Sequence, residues 1–349
     1  MQASGSMLEG YNKFGSFHMR LPFCLVYSKD YYLPIGAHVF PARKYRMIHD
    51  RLLQTGEADE TDFLEPRPAS DDDVRLVHGS GYVDRLLHGE LSQYEEMQME
   101  LPYSRELVKA FWLSAGGSIL AAERSLADGI CFNVGGGFHH AYPDHGEGFC
   151  MIHDVAIAIR KMQKLGRIHH AMTVDCDVHH GNGTAAIFPA KPTKPKPLPS
   201  ISSVQVQPQI ISPPANDSDV FTISVHQQNN YPAYKPPSSI DVNLPDGTTD
   251  SEYLAWLDQS LSSGLRQFSP DLLCYIAGAD PYREDQLGGL ALTIEGLKQR
   301  DGLVFKVAKA RGIPVMVTHA GGYARNVQDT VTIHVNTILA AKAIWGSEA

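Results

Sequence analysis

"HHAMTVDCDVHHGNGT", residues 169–184, passes from an apolar run directly into two acids, two histidines and an asparagine. Residues 169–175 read as a strand, so the polar set stands where that strand ends. Buried carboxylates are costly unless a cation neutralises them. Asp175 and Asp177 therefore call for a counter-charge, and the rest of the chain is read for its source.

Comparable apolar runs recur at 22–27, 74–78, 130–135, 220–225, 272–278 and 313–319, with helix-like segments between most of them. The clearest helix follows Ser104 as N-cap and stops at Gly129. Others are expected at 153–166, at 293–312 and in a segment starting behind Asp250. Strands that are apolar almost throughout, alternating with helices, predict an α/β fold: a central, mostly parallel, multi-stranded sheet covered by helices on both faces. In such sheets ligands bind beyond the carboxyl ends of the strands. "GGGFHH", "DCDVHHGN", "GAD" and "AGGY" each follow one of the runs, and would meet on one rim.

The 349 residues, 43% of them apolar, are enough for a large core. We expect a single domain over 21–349, preceded by leader or artificial residues at 1–20. Residues 189–218, rich in Pro, Ser and Gln, should form a surface loop inserted in that domain. The formal net charge of −9 argues against nucleic acid as a partner. No apolar run reaches the roughly 18 residues of a bilayer span. Five scattered cysteines suggest buried thiols in a reducing compartment, the cytoplasm, rather than a disulfide frame.

Asp177 and His179 lie two apart, so extended backbone would point both side chains the same way. With Asp280 from another strand end they make three N/O ligands and leave a fourth position open, the pattern of a catalytic zinc site; ferrous iron fits equally. Asp175 could orient a histidine through its second ring nitrogen. His139 and His140 would be its recipients, and suit proton transfer beside a metal-activated water. Tyr323 could donate its hydroxyl to a developing oxyanion. His169, His170, His49, His153 and His334 read as structural. The triple glycine lacks the spacing of a phosphate loop.

Together these motifs resemble the zinc-dependent histone deacetylase superfamily, with its arginase-like fold. "HHAYPDHGEGFC", "GNGTAAIF" and "GADPYREDQLGGLALT" look most like class IV and bacterial deacetylase-like amidohydrolases. The resemblance implies Asp177, His179 and Asp280 as zinc ligands, His140 as general base and acid, and His139, paired with Asp175, as its charge-stabilising neighbour. It implies that Asn182 orients His140 without the basicity a carboxylate would lend, and that Tyr323 polarises the acyl carbonyl. It further implies a structural potassium at Asp175, Asp177, His179, Ser224 and Val225. Gly148 and Phe149 match the acyl-lysine tunnel, Leu287 its floor, and Tyr231 its facing wall. A substrate-binding carboxylate at the rim is sought in 93–100.

The expected activity is removal of acetyl or longer acyl groups from the ε-amine of lysine in a protein or peptide. Hydrolysis of acetylated polyamines is the alternative, and the acidic balance is compatible with it. More distant are a non-catalytic acyl-lysine binding module and a binuclear arginase-type hydrolase in which Asp285 would join the ligands.

Overall fold

The computed structural model describes residues 19–190, 196–197, 209–210 and 219–346. Most of the leader expected at 1–20, and of the stretch expected as a loop at 189–218, lies outside them. Eight parallel strands form the sheet: β1 (Leu25–Val26), β2 (Phe63–Leu64), β3 (Ile130–Asn133), β4 (Ala171–Asp175), β7 (Val220–Gln227), β8 (Ile240–Leu244), β9 (Leu272–Ile276) and β10 (Val315–Thr318). Two-residue strands β5 (Lys196–Pro197) and β6 (Gln209–Ile210) continue it antiparallel beyond β8. To that extent the expected loop contains regular structure. The order is β2-β1-β3-β10-β9-β4-β7-β8-β6-β5.

Alternate residues of the strands face opposite helical layers, which is why both faces are apolar. Cys131, Cys274 and Met316 pack with Ala121, Ala122, Val155 and Ile159. These come from the helices α5 (Arg105–Asp128) and α6 (Asp154–Lys164). Phe132, Tyr275 and Val317 face a cluster holding Trp256, Phe305 and Ile338, from α8 (Asp250–Gln267), α9 (Ile294–Ala310) and α10 (Val327–Trp345). The expected α/β architecture is what the chain forms.

Helix boundaries follow their caps. The Ser104 hydroxyl accepts from Leu107 N, and Gly129 ends α5 at φ 84°. α8 begins one residue earlier than expected. Thr249 is its N-cap and forms a capping box with Glu252, while Asp250 instead accepts from Thr293 at the head of α9. Local sequence hides this because the competing partner is 43 residues away.

The run at 74–78 is not a strand. Ser70 and Asp73 form a capping box that starts a short helix, Asp71–Val74, and a turn carries the chain to His78. Cap chemistry outweighs the apolar alternation of five residues. Conversely, β2 and β8 were not read from sequence: β2 has only two residues, and Asp241 and Asn243 interrupt the apolar run of β8. Helices Lys44–Gln54, Ser80–His88 and Gln93–Met99 were likewise not read.

His78 fastens this region to the loop after β3. Its Nδ1 lies 2.9 Å from the Tyr142 carbonyl, and its Nε2 accepts from His153 N at 2.9 Å. Those partners require the neutral Nδ1–H form, because a second ring proton would face an N–H donor. Burial, the dominant effect, pushes the pKa down to about 4, against the carbonyl contacts that raise it. The unfolded chain, near 6.5, thus binds a proton that the folded one excludes. This contribution to stability is complete above pH 6.5 and is lost as pH falls through the folded value, by up to about 3 kcal/mol. Urea unfolding at pH 7 and pH 4.5 should show a smaller acid-induced loss for His78→Gln than for the wild type.

Candidate active site

Four strands, β3, β10, β9 and β4, are consecutive neighbours in the sheet. Their carboxyl ends carry Gly135–His140, His319–Tyr323, Gly278–Asp280 and Cys176–Asn182. Parallel register sets Asp175 opposite Ile276, and Thr318 opposite both Asn133 and Ile276. The four motifs therefore meet on one rim.

Asp177, His179 and Asp280 converge there, each offering one ligand atom, all within 4.8 Å of one another. His179 Nδ1 is 3.0 Å from Asp177 Oδ1 and 3.5 Å from Asp280 Oδ2. Extended backbone is not what aligns Asp177 with His179. β4 ends at Asp175 and the chain bends, with Asp177 Oδ1 accepting from His179 N at 3.0 Å. The acids' remaining oxygens are fixed by amides: Asp177 Oδ2 by Gly321 N at 2.9 Å, Asp280 Oδ1 by Val178 N at 2.9 Å. A Cβ on Gly321 would collide with both carboxylates. Asp280 Oδ2, fully buried, makes no short hydrogen bond and has His179 Nδ1 facing it at 3.5 Å.

The charge balance is that of a cation site. Burial first, then repulsion from Asp177, pushes Asp280 up to about 7. Burial also opposes ionisation of Asp177, but His139 and His179 hold it well below the carboxylate range. His179 itself is disfavoured as a cation by burial, yet its bonds and charge interactions with Asp177 and Asp280 raise it to about 10. The donor set of two carboxylates and one imidazole fits a divalent ion.

Beside it, His139 Nδ1 lies 2.7 Å from Asp175 Oδ2. Burial works against a charged ring, but Asp175 and Asp177 outweigh it and raise His139 to about 9. His140 Nδ1 lies 2.6 Å from Asn182 Oδ1. Burial and the neighbouring His139 and His179 hold it well below the usual histidine range. The two rings are 4.0 Å apart, and their surroundings shift their pKa values in opposite directions.

A pocket brings His139, His140, Gly148, Phe149, Asp177 and Tyr323 together. Gly148 and Phe149 both have positive φ, 52° and 65°, and a Cβ on Gly148 would press on Tyr231 and His140. Phe149 and Tyr323 meet edge to face at 6.0 Å, with Phe40 against both. Tyr231 stands edge-on to His140 at 5.1 Å. Burial, then Asp177 and Asp280, keeps the Tyr323 phenol protonated. Leu287 is partly buried against the main core, and neither it nor Tyr231 is among the residues lining the pocket. In the 93–100 segment Glu95 is taken up by Arg85 and Ser92, while Glu100 ends the helix Gln93–Met99 at φ 57°. Ser224 pairs in register with Asp175, followed by Val225.

Several residues of this framework escaped sequence reading. Arg300, fully buried and paired with Asp301, donates to the carbonyls of Cys176 and Gly278, tying together the loops that carry Asp177 and Asp280. Asp154 accepts from Gly137 N and Phe138 N and fixes the glycine-rich turn. Buried Lys44 donates to Ala320 O. Only partners distant in sequence would have exposed them. Asp285 spends both oxygens on backbone amides, of Leu287, Gly288 and Tyr323. It braces the tyrosine instead of facing a second metal.

The histidines read as structural stand apart from the Asp177–His179–Asp280 group. Asp271 binds the amides of His169 and His170, His49 stacks on Tyr27, His153 caps α6, and His334 packs on His319. A further group, His180, His226 and Asp241, could geometrically hold an ion. It is already knitted by bonds from His180 to Asp241 and from His226 to Ser224 and Asn243. All five cysteines are buried and unpaired, and among the described residues no helix is long and apolar enough to cross a membrane.

Sheet order and strand-end loops define the arginase- and deacetylase-like class of α/β proteins. Residues 38–338 match the histone deacetylase domain, and the chain belongs to the histone deacetylase family. It is 36% identical over 324 residues to an uncharacterized protein of Picosynechococcus sp., covering 93% of this chain and 99% of that one. It is 29% identical to histone deacetylase 2 of Arabidopsis thaliana, covering 88% and 77% of the two chains. Its structure is similar to a histone deacetylase homologue from Aquifex aeolicus (TM-score 0.72, 21% identity, 92% and 84% covered). It also resembles acetylpolyamine aminohydrolase from Burkholderia pseudomallei (TM-score 0.68, 18% identity, 92% and 99% covered).

Binding of a divalent cation should stabilise chelator-treated protein by about 4 kcal/mol at a thousandfold excess over Kd. Thermal melts with and without added zinc would register this as a higher Tm in the wild type and no response in Asp280→Ala. A response retained in that variant would place the ion elsewhere.

Proposed function

We propose that the protein is a zinc-dependent amidohydrolase that removes acyl groups, acetyl or longer, from the ε-amine of lysine. One observation carries this reading: Asp177, His179 and Asp280 converge as a buried three-ligand set, with an Asp280 oxygen that makes no short hydrogen bond, beside a His140 ring whose Nδ1 is taken by the Asn182 amide oxygen. Zinc held by Asp177, His179 and Asp280 would polarise the acyl carbonyl and make a water nucleophilic near neutral pH.

The chain's own residues supply the remaining steps. His140 donates Nδ1–H to Asn182, leaving Nε2 to accept a proton from the attacking water. The same nitrogen then returns that proton to the departing lysine amine. His139, kept cationic by Asp175, stabilises negative charge beside it. The Tyr323 phenol donates to the carbonyl oxygen as it gains charge, and its backbone is anchored by Asp285. Gly148 and Phe149, which line the pocket, would confine the extended lysine side chain, with Tyr231, in reach of Gly148, assigned as the facing wall and Leu287 as the floor.

We further assign a structural potassium to Asp175, Asp177, the backbone of His179, Ser224 and Val225. The pairing of Asp175 with Ser224 supports it, as does the need for positive charge beside two buried acids. The unpaired thiols are in keeping with a cytoplasmic setting, and one deacetylase domain over 21–349 remains our reading of the organisation.

Purified zinc-loaded protein should hydrolyse acetyl- or longer acyl-lysine peptides. Tyr323→Phe should lower kcat by about 10²–10³, and His140→Ala by about 10²–10⁴. Parallel assays with N-acetylputrescine and N-acetylspermidine decide the substrate. A preference for these small amines would replace lysine by polyamine, and hydrolysis of neither would overturn the reading.

A further inference from the structure

His140 is partnered by an amide, and an amide can be placed either way round. Asn182 Oδ1 is 2.6 Å from His140 Nδ1, and its Nδ2 donates to Glu147 Oε1 at 2.9 Å. An ionised carboxylate only accepts hydrogen bonds. Glu147 therefore compels Asn182 to turn its NH₂ outward and its oxygen toward His140. That oxygen in turn compels His140 to carry its proton on Nδ1, which leaves Nε2 with a free lone pair. The Glu147 side chain, 16% exposed, is ionised for this purpose. Burial opposes its charge, but bonds from His145, Tyr231 and Asn182 hold it below the usual carboxylate range. The same Oε1 accepts from Tyr231 Oη at 2.8 Å, so the acid also steadies the ring that faces His140.

We infer that Glu147 is a positioning residue for His140: through the Asn182 amide it sets the ring's tautomer and supports the positive charge the ring acquires. The inference rests on the proposed role of His140 in hydrolysis, although its structural half can be tested without turnover. Asn182 by itself supplies geometry without charge. Glu147 supplies the charge one hydrogen bond further out, close enough to polarise the amide and too far to protonate the ring outright.

Glu147→Gln is the informative change. It keeps the length of the side chain but presents a group that can donate as well as accept, so the amide orientation is no longer imposed. In the zinc-loaded enzyme, kcat on an acetyl-lysine peptide should fall about 10- to 100-fold, with KM within about threefold. Correlation spectra of the ring nitrogens should show His140 as the Nδ1–H tautomer in the wild type and as a mixture in the variant. In an Asn182→Asp background the carboxylate touches His140 directly and repels Glu147. There the same Glu147→Gln change should raise kcat. An unaltered His140 spectrum in Glu147→Gln overturns the inference. So does an equal fall in kcat in both backgrounds, which is what loss of packing alone would give. Should the wild type hydrolyse no acylated amine, the functional reading fails, while the ring spectrum still decides the role of Glu147.

Discussion

Two carboxylates that repel each other, Asp177 and Asp280, are forced into one dry site, and much of the surrounding structure exists to hold them there. They arrive from the ends of adjacent strands, β4 and β9. Arg300 grips the carbonyls just before each of them. Gly321 and Gly278 leave out the side chains that would block the approach. Amides fix both oxygens of Asp177 and one of Asp280. In water the two charges would separate; here the sheet register forbids it, and the repulsion is left for a cation to relieve. Precise backbone placement thus sets the geometry of a three-ligand group that could hold a metal ion.

Much of this was legible in the chain because the motifs sit where strands end. Once 130–135, 169–175, 272–278 and 313–319 are read as parallel strands, His140, Asp177, Asp280 and Tyr323 must lie on the same side of the sheet. What periodicity alone could not give is that these four strands are neighbours in the order β3-β10-β9-β4. The supporting groups were invisible for a related reason. Arg300 is 124 residues from Cys176, and Lys44 is 276 from Ala320. In sequence neither stands out from an ordinary surface cation, and only the fold reveals what they touch. His179 shows a subtler gap: the right partner was inferred from extended backbone, whereas a bend stabilised by the Asp177 carboxylate does the aligning.

The adjacent histidines show how partner chemistry separates residues that a sequence makes look alike. His139 faces a carboxylate, which favours its charged form, whereas His140 faces an amide and burial disfavours its charge. With rings 4.0 Å apart, a carboxylate at both positions would draw a proton onto each, and two imidazolium ions would share a buried site. An amide at residue 182 avoids that outcome. It would also leave the base unsupported at the moment it takes a proton, were there no acid behind it. Glu147 stands at that distance, separated from the ring by one side chain. In the proposed reaction this arrangement would keep His140 uncharged at rest and still lower the cost of charging it as it takes a proton.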